Sequence, residues 1–385
     1  MVVLMIFQRY YSPFLSEQAS PGKVLVLYGA RRTGKTWLIK HFLEGSKERV
    51  YQGTGDDSSL RAVLEKCSIS DIKALFGGYD MVFIDEAQRI AGIGNILKLM
   101  IDTLPTLRII ATGSSSFELA HQVGEPLTGR KKTLKLYPMS VLELNRQWGG
   151  MYCEESLESM LIYGTYPEVL TLASPSAKTD YLIELRDSAL YKDILELDSV
   201  RNAKKIGDLL RLVAFQVGRE VSYRELATQL GLNVKTVERY LDLLEKAFVL
   251  FNVRGFSRNL RKEISKTSRY FFLDNGILNA LTANFNALPL RNDVGVLWEN
   301  FVFMERLKRN TYLAHRANYY FWRTYDQQEI DLVEEHDGKL ASFEFKYRST
   351  KIKKPKAWGD AYPQATYDVI SRSNYLPFMT ESSHG

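Results

Sequence analysis

Short apolar runs alternate with stretches of helical spacing through the first third of the chain. Val24 to Tyr28, Met81 to Ile84 and Leu107 to Thr112 are mostly apolar and show no polar alternation, as strands do when a parallel sheet covers both their faces. Arg49 to Tyr51 reads as a further strand. Between the strands, Trp37, Leu38, His41 and Phe42 recur at helical spacing, and 58–67, 71–76 and 93–104 read as helices. This alternation predicts a parallel sheet with helices on both faces. Leu134 and Leu136 then alternate with Thr133 and Lys135 as one more strand, and Pro138 opens a helix. The pattern stays helical from about 150 to 200, broken at Gly164-Thr165-Tyr166-Pro167.

The periodicity changes twice more. Ser222 precedes a helix with Glu225 three residues on, which predicts a capping box. Gly231 makes a turn, and Asn233 caps a second helix bearing Val234, Val237, Leu241 and Leu244. This is helix-turn-helix spacing, with room for a wing after it. On the second helix Lys235 and Arg239 are matched by Glu238 and Asp242, so DNA contact and packing on protein stand level. Arg254, Arg258, Arg261, Lys262, Lys266 and Arg269 follow with Glu263 alone against them, a density suited to phosphates or to a solvated face. From about 290, a helix with Trp298, Glu299, Phe301, Val302 and Leu307 leads to Tyr319-Tyr320-Phe321-Trp322 and then to two strands around Asp337-Gly338, a type I′ hairpin signal. That turn sets Asp331 opposite Glu344 and Glu329 opposite Lys346 on one face. Ile330, Leu332, Phe343 and Phe345 fall on the other.

Composition changes little in this picture. The chain has 385 residues, room for two or three domains, and a hydrophobic share of 45%, as in globular proteins. No apolar run approaches the roughly 20 residues of a membrane span, and Val2 to Phe7 lacks the flanks of a signal peptide. Cys67 and Cys153 stand apart without ligand spacing, which argues against zinc and for a reducing compartment, the cytoplasm. A net charge of +6 permits a polyanionic partner without requiring one.

Chemistry concentrates where the first strand ends. Gly29-Ala30-Arg31-Arg32-Thr33-Gly34-Lys35-Thr36 fits G-x-x-x-x-G-K-[ST] between a strand and a helix. The glycines let backbone N–H groups turn inward on phosphate oxygens, with the helix dipole behind them. Lys35 would then reach the β and γ phosphates of a nucleotide, and Thr36 would ligate Mg²⁺. Asp85, closing the next buried run, completes the Mg²⁺ shell, and Glu86 orients and deprotonates the attacking water. A hydroxyl after the third run senses the γ phosphate, Ser114 being preferred to Thr112.

With these motifs together, the sequence resembles the bacterial and archaeal P-loop ATPases of the AAA/STAND-like group, in which G-x-R-R-x-G-K-T accompanies F-I-D-E-A-Q and a C-terminal domain of unknown function follows. The resemblance runs over nearly the whole chain. It implies a helical lid that moves with nucleotide state. Because similar proteins carry a Gly-Arg pair at Gly129-Arg130, it also implies a role for Arg130 near the γ phosphate, in cis or from a neighbouring subunit, against the alternative of a solvated basic turn. Glu86 and the strand lying between the two nucleotide motifs indicate the glutamate-dependent subclass.

Asp331, Glu344 and Lys346 converging on one face suit metal-assisted hydrolysis: two carboxylates for Mg²⁺ and a lysine for the water. They resemble the restriction-endonuclease-like pattern of Asp, then Glu-x-Lys, with Glu299 as the extra carboxylate. The competing reading is a surface hairpin with cross-strand ion pairs such as Glu329 to Lys346. Lys351, Lys353, Lys354 and Lys356 follow with no acid between them. The expected architecture is therefore α/β: a P-loop NTPase core (1–148) with a parallel sheet, a helical lid (149–200), a winged helix-turn-helix (201–256) and an α/β restriction-endonuclease-like domain (257–385). The expected function is ATP hydrolysis coupled to a DNA-binding, nuclease-like region. The alternative is a nucleotide-gated switch whose later domains bind DNA or protein without cleavage. A protein partner or a second copy of the chain fits either, and a membrane fits neither.

Overall fold

The computed structural model describes residues 7–114, 126–187, 203–258, 268–348 and 352–381. The chain forms two compact units, the first built mainly from residues 1–137 and the second from most of 138–385.

The first unit is a five-stranded parallel sheet in the order β2-β3-β4-β1-β5. Its strands are β1 (Val24–Tyr28), β2 (Val50–Thr54), β3 (Met81–Asp85), β4 (Arg108–Gly113) and β5 (Lys131–Lys135). All of β1, and β3 up to Ile84, are buried, which is why these runs show no alternation. Helices α1 (Lys35–Glu44), α2 (Ser58–Leu64), α3 (Ile69–Phe76) and α4 (Ile93–Thr103) occur where the helical spacing predicts them. In α4, Ile93, Ile96, Leu97, Met100 and Ile101 supply a continuous buried stripe. Strand β4 lies between β1 and β3, so one strand separates the two nucleotide motifs, as the sequence implies. Parallel strands bring their C-terminal ends to one edge, and there Gly29, Asp85 and Ser114 meet.

The second unit begins with α5 (Val141–Tyr163), opened by a buried capping box in which Ser140 and Glu143 satisfy each other's backbone N–H groups. Gly149, at φ 82°, interrupts this helix. Helices α6 (Pro167–Thr171), α7 (Pro175–Leu185) and α8 (Ala203–Ala214) follow. Two helices, α9 (Tyr223–Leu230) and α10 (Val234–Lys246), form at the expected spacing, with Gly231 left-handed at the turn and Asn233 accepting from Thr236 N at 2.8 Å. The predicted capping box at Ser222 is half made: Ser222 accepts from Glu225 N at 3.3 Å, while Glu225 turns to Gln229. Beyond them come α11 (Asn275–Thr282), α12 (Val294–Tyr312), α13 (Lys356–Ala361) and α14 (Tyr375–Thr380).

Two findings revise the expected domain plan. The strands β6 (Glu220–Val221), β7 (Leu250–Gly255) and β8 (Ser268–Phe272) continue into β9 (Asn318–Arg323), β10 (Glu329–His336), β11 (Lys339–Phe345) and β12 (Thr366–Ile370), in one sheet ordered β12-β11-β10-β9-β7-β8-β6. The sheet therefore runs across the expected 256/257 boundary. Pairing of β7 with β9 gives the outer edge of β7 backbone partners, as in the 2.7 Å bond from Phe256 N to Phe321 O. The second finding concerns the expected lid. Its principal helix, α5, is part of the second unit's core, and residues 138–148, expected in the first domain, fall in the second unit. Glu305 accepts from Val141 N at 2.6 Å, and Lys308 donates to Glu305 (2.6 Å), Thr165 Oγ1 (3.2 Å) and Met139 O (3.3 Å). Glu305 and Lys308 are both 2% exposed, so these bonds hold the start of α5 and the break at Thr165 on α12.

Candidate functional site

The phosphate loop is shaped by two close approaches. A Cβ on Gly29 would lie 1.9 Å from the Leu136 carbonyl oxygen, so no other residue fits where β1 ends beside the chain leaving β5. Gly34 takes φ 89° to aim the loop into α1. Lys35 is buried and donates to Gly29 O at 2.9 Å and Ala30 O at 2.8 Å, bending over the loop it serves. Thr33 Oγ1 bonds Ala30 O at 2.9 Å. Arg31 and Arg32 continue the loop, Arg32 exposed and at φ 61°.

Asp85 is the hub of the constellation. Its Oδ2 accepts from Thr36 Oγ1 at 2.8 Å, and its Oδ1 accepts from Thr112 Oγ1 and from Glu86 N at 3.1 Å. The Thr36 hydroxyl and the Asp85 carboxylate thus meet at the position a loop-bound cation requires. Glu86 adopts φ 46°, a left-handed conformation that costs a non-glycine residue about 1–2 kcal/mol. Gly55, from the end of β2, allows it: a Cβ there would lie 2.3 Å from Glu86 O. Gln88 donates to Glu86 Oε2 at 2.6 Å and to Ser114 Oγ at 3.1 Å, linking the expected water-activating residue to the expected sensor. Ser114 is buried, one residue beyond the Gly113 that pairs with Tyr28, and so lies beside Gly29.

Arg130 is a correction to the sequence reading. Its carbonyl accepts from Val24 N at 2.9 Å, at the start of β1, whereas the loop follows the end of that strand. Five residues of strand put it about 16 Å from the loop. Its guanidinium pairs with Asp102 at the end of α4. Arg130 therefore has no role at its own subunit's γ phosphate. The Gly-Arg pair gave its place in the chain but not which end of the sheet it occupies.

Three contributors escaped the sequence reading. Gln88 was visible only as a motif letter, and Gly55 as an ordinary turn glycine. Buried Arg9 donates to Thr33 O at 2.5 Å and Tyr137 O at 2.7 Å, fixing the segment before β1 to the phosphate loop; no local pattern marks a partner 24 residues away.

A family profile described as an AAA domain matches residues 21–145. Residues 21–145 are a P-loop ATPase domain of the AAA type. Two domain families of unknown function, DUF8612 and DUF4143, match residues 154–288 and 294–370. An uncharacterised protein of Mycobacterium tuberculosis is 26% identical over 331 residues, 85% of this chain and 71% of that protein. One of Methanocaldococcus jannaschii is 24% identical over 327 residues, 78% of this chain and 71% of its own length. Among solved structures, the Walker-type ATPase PABY2304 of Pyrococcus abyssi superposes with a TM-score of 0.50 at 19% identity, covering 72% of this chain and 96% of that one. That likeness is one of fold.

Apart from the AAA domain, the second unit gathers a second set of the expected residues. Asp337 and Gly338 have φ 48° and 74°, the signs of a type I′ turn, and Leu332 pairs with Phe343 in the expected register. A register shift between Ile330 and Val333 alters one expected face: Ile330 joins Val333, Trp322 and Trp358 in a cluster, while Phe343 and Phe345 pack on Phe378. Asp331 and Glu344 are 5% and 7% exposed, which removes the surface-hairpin reading. Asp331 Oδ2 accepts from Phe345 N at 2.7 Å, and Lys346 Nζ lies 2.6 Å from Glu344 Oε1. The expected Glu329–Lys346 pair is replaced by Glu329 with Arg269 at 3.1 Å. Glu299, on α12, adjoins the group; burial and then Asp331 hold its carboxyl well above the usual carboxylate range, and its Oε1 is buried without a hydrogen-bond partner. Burial and then Glu344 push Asp331 up to about 7. Burial works against the Lys346 charge, but Asp331 and Glu344 outweigh it and raise that group. Among the described residues no group of three or more His, Cys, Asp or Glu side chains is arranged to hold a metal ion, so Glu299 does not complete a carboxylate triad with Asp331 and Glu344.

The expected basic face is also revised. Arg269 is 3% exposed, lies over the Phe321 ring at 4.3 Å and bonds Glu329, so it offers nothing to an external phosphate. Arg254 is exposed and Arg258 lies over Tyr362 at 5.3 Å, while Arg261, Lys262, Glu263 and Lys266 fall outside the described residues. Lys354 donates to Ala365 O at 2.7 Å, and Lys351 is likewise outside the described set. No described helix is long and apolar enough to cross a membrane.

Proposed function

We propose that the protein binds ATP with Mg²⁺ at residues 29–36 and hydrolyses it, with Glu86 as the base for the attacking water. Thr36 and Asp85 would hold the cation, which would supply charge neutralisation at the phosphates. The observation that carries this reading is the Asp85 carboxylate, held by the loop's own Thr36 on one oxygen and by Thr112 of the adjacent strand on the other. Lys35, freed from the Gly29 and Ala30 carbonyls, neutralises the β and γ phosphates. Gln88 is a positioning residue: it holds Glu86 and Ser114 in one hydrogen-bonded chain, so that a phosphate at Ser114 and the base for the water that attacks it are set together.

Phosphate release in wild type, Lys35→Ala and Glu86→Gln tests this. Lys35→Ala should lose nucleotide binding or turnover, and Glu86→Gln should hold ATP unhydrolysed. Normal turnover in Glu86→Gln would remove Glu86 from its role.

A finer reading is that Asp331, Glu344 and Lys346 form a nuclease-like centre on two carboxylates and a lysine, without Glu299 as a third ligand, that acts on DNA under nucleotide control. The competing form is a nucleotide-gated switch whose second unit binds DNA or protein without cutting. Plasmid nicking with Mg²⁺ or Mn²⁺, with and without ATP, separates them. Nicking lost in both Asp331→Ala and Lys346→Ala supports the nuclease; no nicking under any nucleotide condition leaves the switch.

A further inference from the structure

The turn after β2 carries none of the residues expected to touch ATP, yet it grips the chain on both sides of Glu86. Gly55 N donates to Asp85 O at 2.8 Å, Asp56 pairs with Arg89 at 2.9 Å, and Glu65, which ends α2, accepts from Ala91 N at 3.1 Å. Residues 85–91 are thus held at their start, middle and end. Arg61, one turn into α2, reaches back and donates to Gly55 O at 2.6 Å and to Asp56 O at 3.1 Å, pinning the turn to the helix that follows it. We propose that Arg61 is a positioning residue for ATP hydrolysis: through Gly55 it holds the Glu86 backbone in its left-handed conformation and so aims the carboxylate at the attacking water. The inference rests on the reading of Glu86 as base and specifies what keeps that base in place.

Glu86 needs an outside support. A non-glycine residue leaves the left-handed region unless its surroundings hold it there, and Glu86 sits at φ 46°. Its N–H donates to Asp85 Oδ1 at 3.1 Å and its carbonyl accepts from Arg89 N at 3.0 Å, but both bonds lie within the segment and would move with it. Gly55 is the fixed point beside it. A Cβ on Gly55 would lie 2.3 Å from Glu86 O and 3.2 Å from Arg89 Cβ, its nearest contacts, so the Glu86 carbonyl has no room to swing toward β2. Gly55 does not itself take a left-handed φ, so a methyl group there is felt by Glu86 and Arg89 and not by its own backbone.

The links to the turn differ in weight. The Asp56–Arg89 pair is open to solvent, with 55% of the Asp56 side chain and 30% of the Arg89 side chain exposed, so water screens it. The bond from Arg61 to the Gly55 carbonyl is partly buried and charge-assisted, the stronger kind. It acts on the residue that abuts Glu86, which is why the role falls to Arg61 and not to Asp56.

Steady-state ATP turnover and equilibrium binding of Mg-ATP by the full chain test this. Arg61→Ala and Gly55→Ala should each lower kcat by roughly ten- to a hundredfold, the scale of a misplacement of about 1 Å, with the ATP dissociation constant within about twofold of wild type. Arg61→Lys keeps a cation able to reach one carbonyl and should recover part of the loss. Arg49→Ala breaks an exposed pair with Asp80 at the other end of β2 and should leave kcat unchanged, which separates loss of this support from loosening of the strand. Adding Arg61→Ala to Glu86→Gln should cost less than about threefold more, because a base already removed has no position to lose. Unchanged kcat in both Arg61→Ala and Gly55→Ala overturns the proposal. So does loss of ATP binding along with turnover, an equal fall in Arg49→Ala, or a full loss from Arg61→Ala in the Glu86→Gln background. Normal turnover in Glu86→Gln alone overturns the reading of Glu86 as base, a failure recognised without any variant of the turn.

Discussion

Replacing Asp331 by Asn should make the protein more stable, and increasingly so as pH rises. Asp331 titrates near 7 instead of 3.8, chiefly because burial disfavours its charge and then because Glu344 faces it, with Lys346 and the Phe345 N–H pulling the other way. Below pH 3.8 the folded and unfolded chains both carry this proton and no penalty exists. Between 3.8 and about 7 the unfolded chain ionises while the folded one resists, so stability falls as pH rises; above 7 the loss is complete. At about 1.4 kcal/mol for each pH unit between the two values, the full loss is on the order of 4 kcal/mol, less than half of it already present at pH 5. Asn cannot ionise, and its carbonyl oxygen can still accept from Phe345 N. The stability advantage of Asp331→Asn over wild type should therefore widen by roughly 2–3 kcal/mol between pH 5 and pH 8. Urea melts of both proteins at the two pH values, without divalent cations, measure that gap. A gap that stays constant or narrows would show that the carboxylate is not held against its charge, and the case for a poised centre on this sheet would go with it.

Other outcomes follow from single contacts. Gly29→Ala, which drives a Cβ into Leu136 O, should cost about 1–3 kcal/mol and weaken ATP binding, whereas Gly22→Ala, at φ 73° with no atom within 4 Å, should cost about 1 kcal/mol and leave binding intact. Paired thermal melts and ATP titrations compare the two. Lys308→Met leaves buried Glu305 without its cation and should destabilise by about 3–5 kcal/mol in urea, with much of the loss recovered in Lys308→Met/Glu305→Gln. Arg130→Ala should not alter ATP turnover measured at high dilution, where only the subunit's own residues can act; a tenfold fall would reverse its placement at the far end of β1.

The elements most legible in the sequence were those fixed by local chemistry. The β1 run, the glycine-bounded loop and the start of α1 are specified by neighbours within a dozen residues, as are the Asp337-Gly338 turn and the register it sets. What the sequence left obscure depends on partners far along the chain. Nothing near Gly255 signals that β7 will pair with β9, because an edge strand with free N–H and C=O groups accepts any strand that reaches it. The register shift beyond Ile330 moves a residue to the opposite face without changing the alternation that suggested its place. The basic stretch failed as a surface at Arg269 because charge counting cannot tell an arginine facing phosphate from one already stacked on Phe321 and paired with Glu329.

The two carboxylate centres differ in what holds them. Around Asp85 the side-chain partners are hydroxyls, Thr36 and Thr112, neutral groups that can turn and become ligands or acceptors when a cation arrives. Around Asp331 and Glu344 they are a fixed backbone N–H and an ammonium, and the nearby Glu329 is taken by a guanidinium. A cation entering there must displace or compete with charges already present, whereas one entering beside Asp85 exchanges only neutral partners. Electrostatics therefore favours a cation in the first unit over one in the second. Any metal chemistry on the β10–β11 hairpin would have to begin with movement of Lys346 away from Glu344.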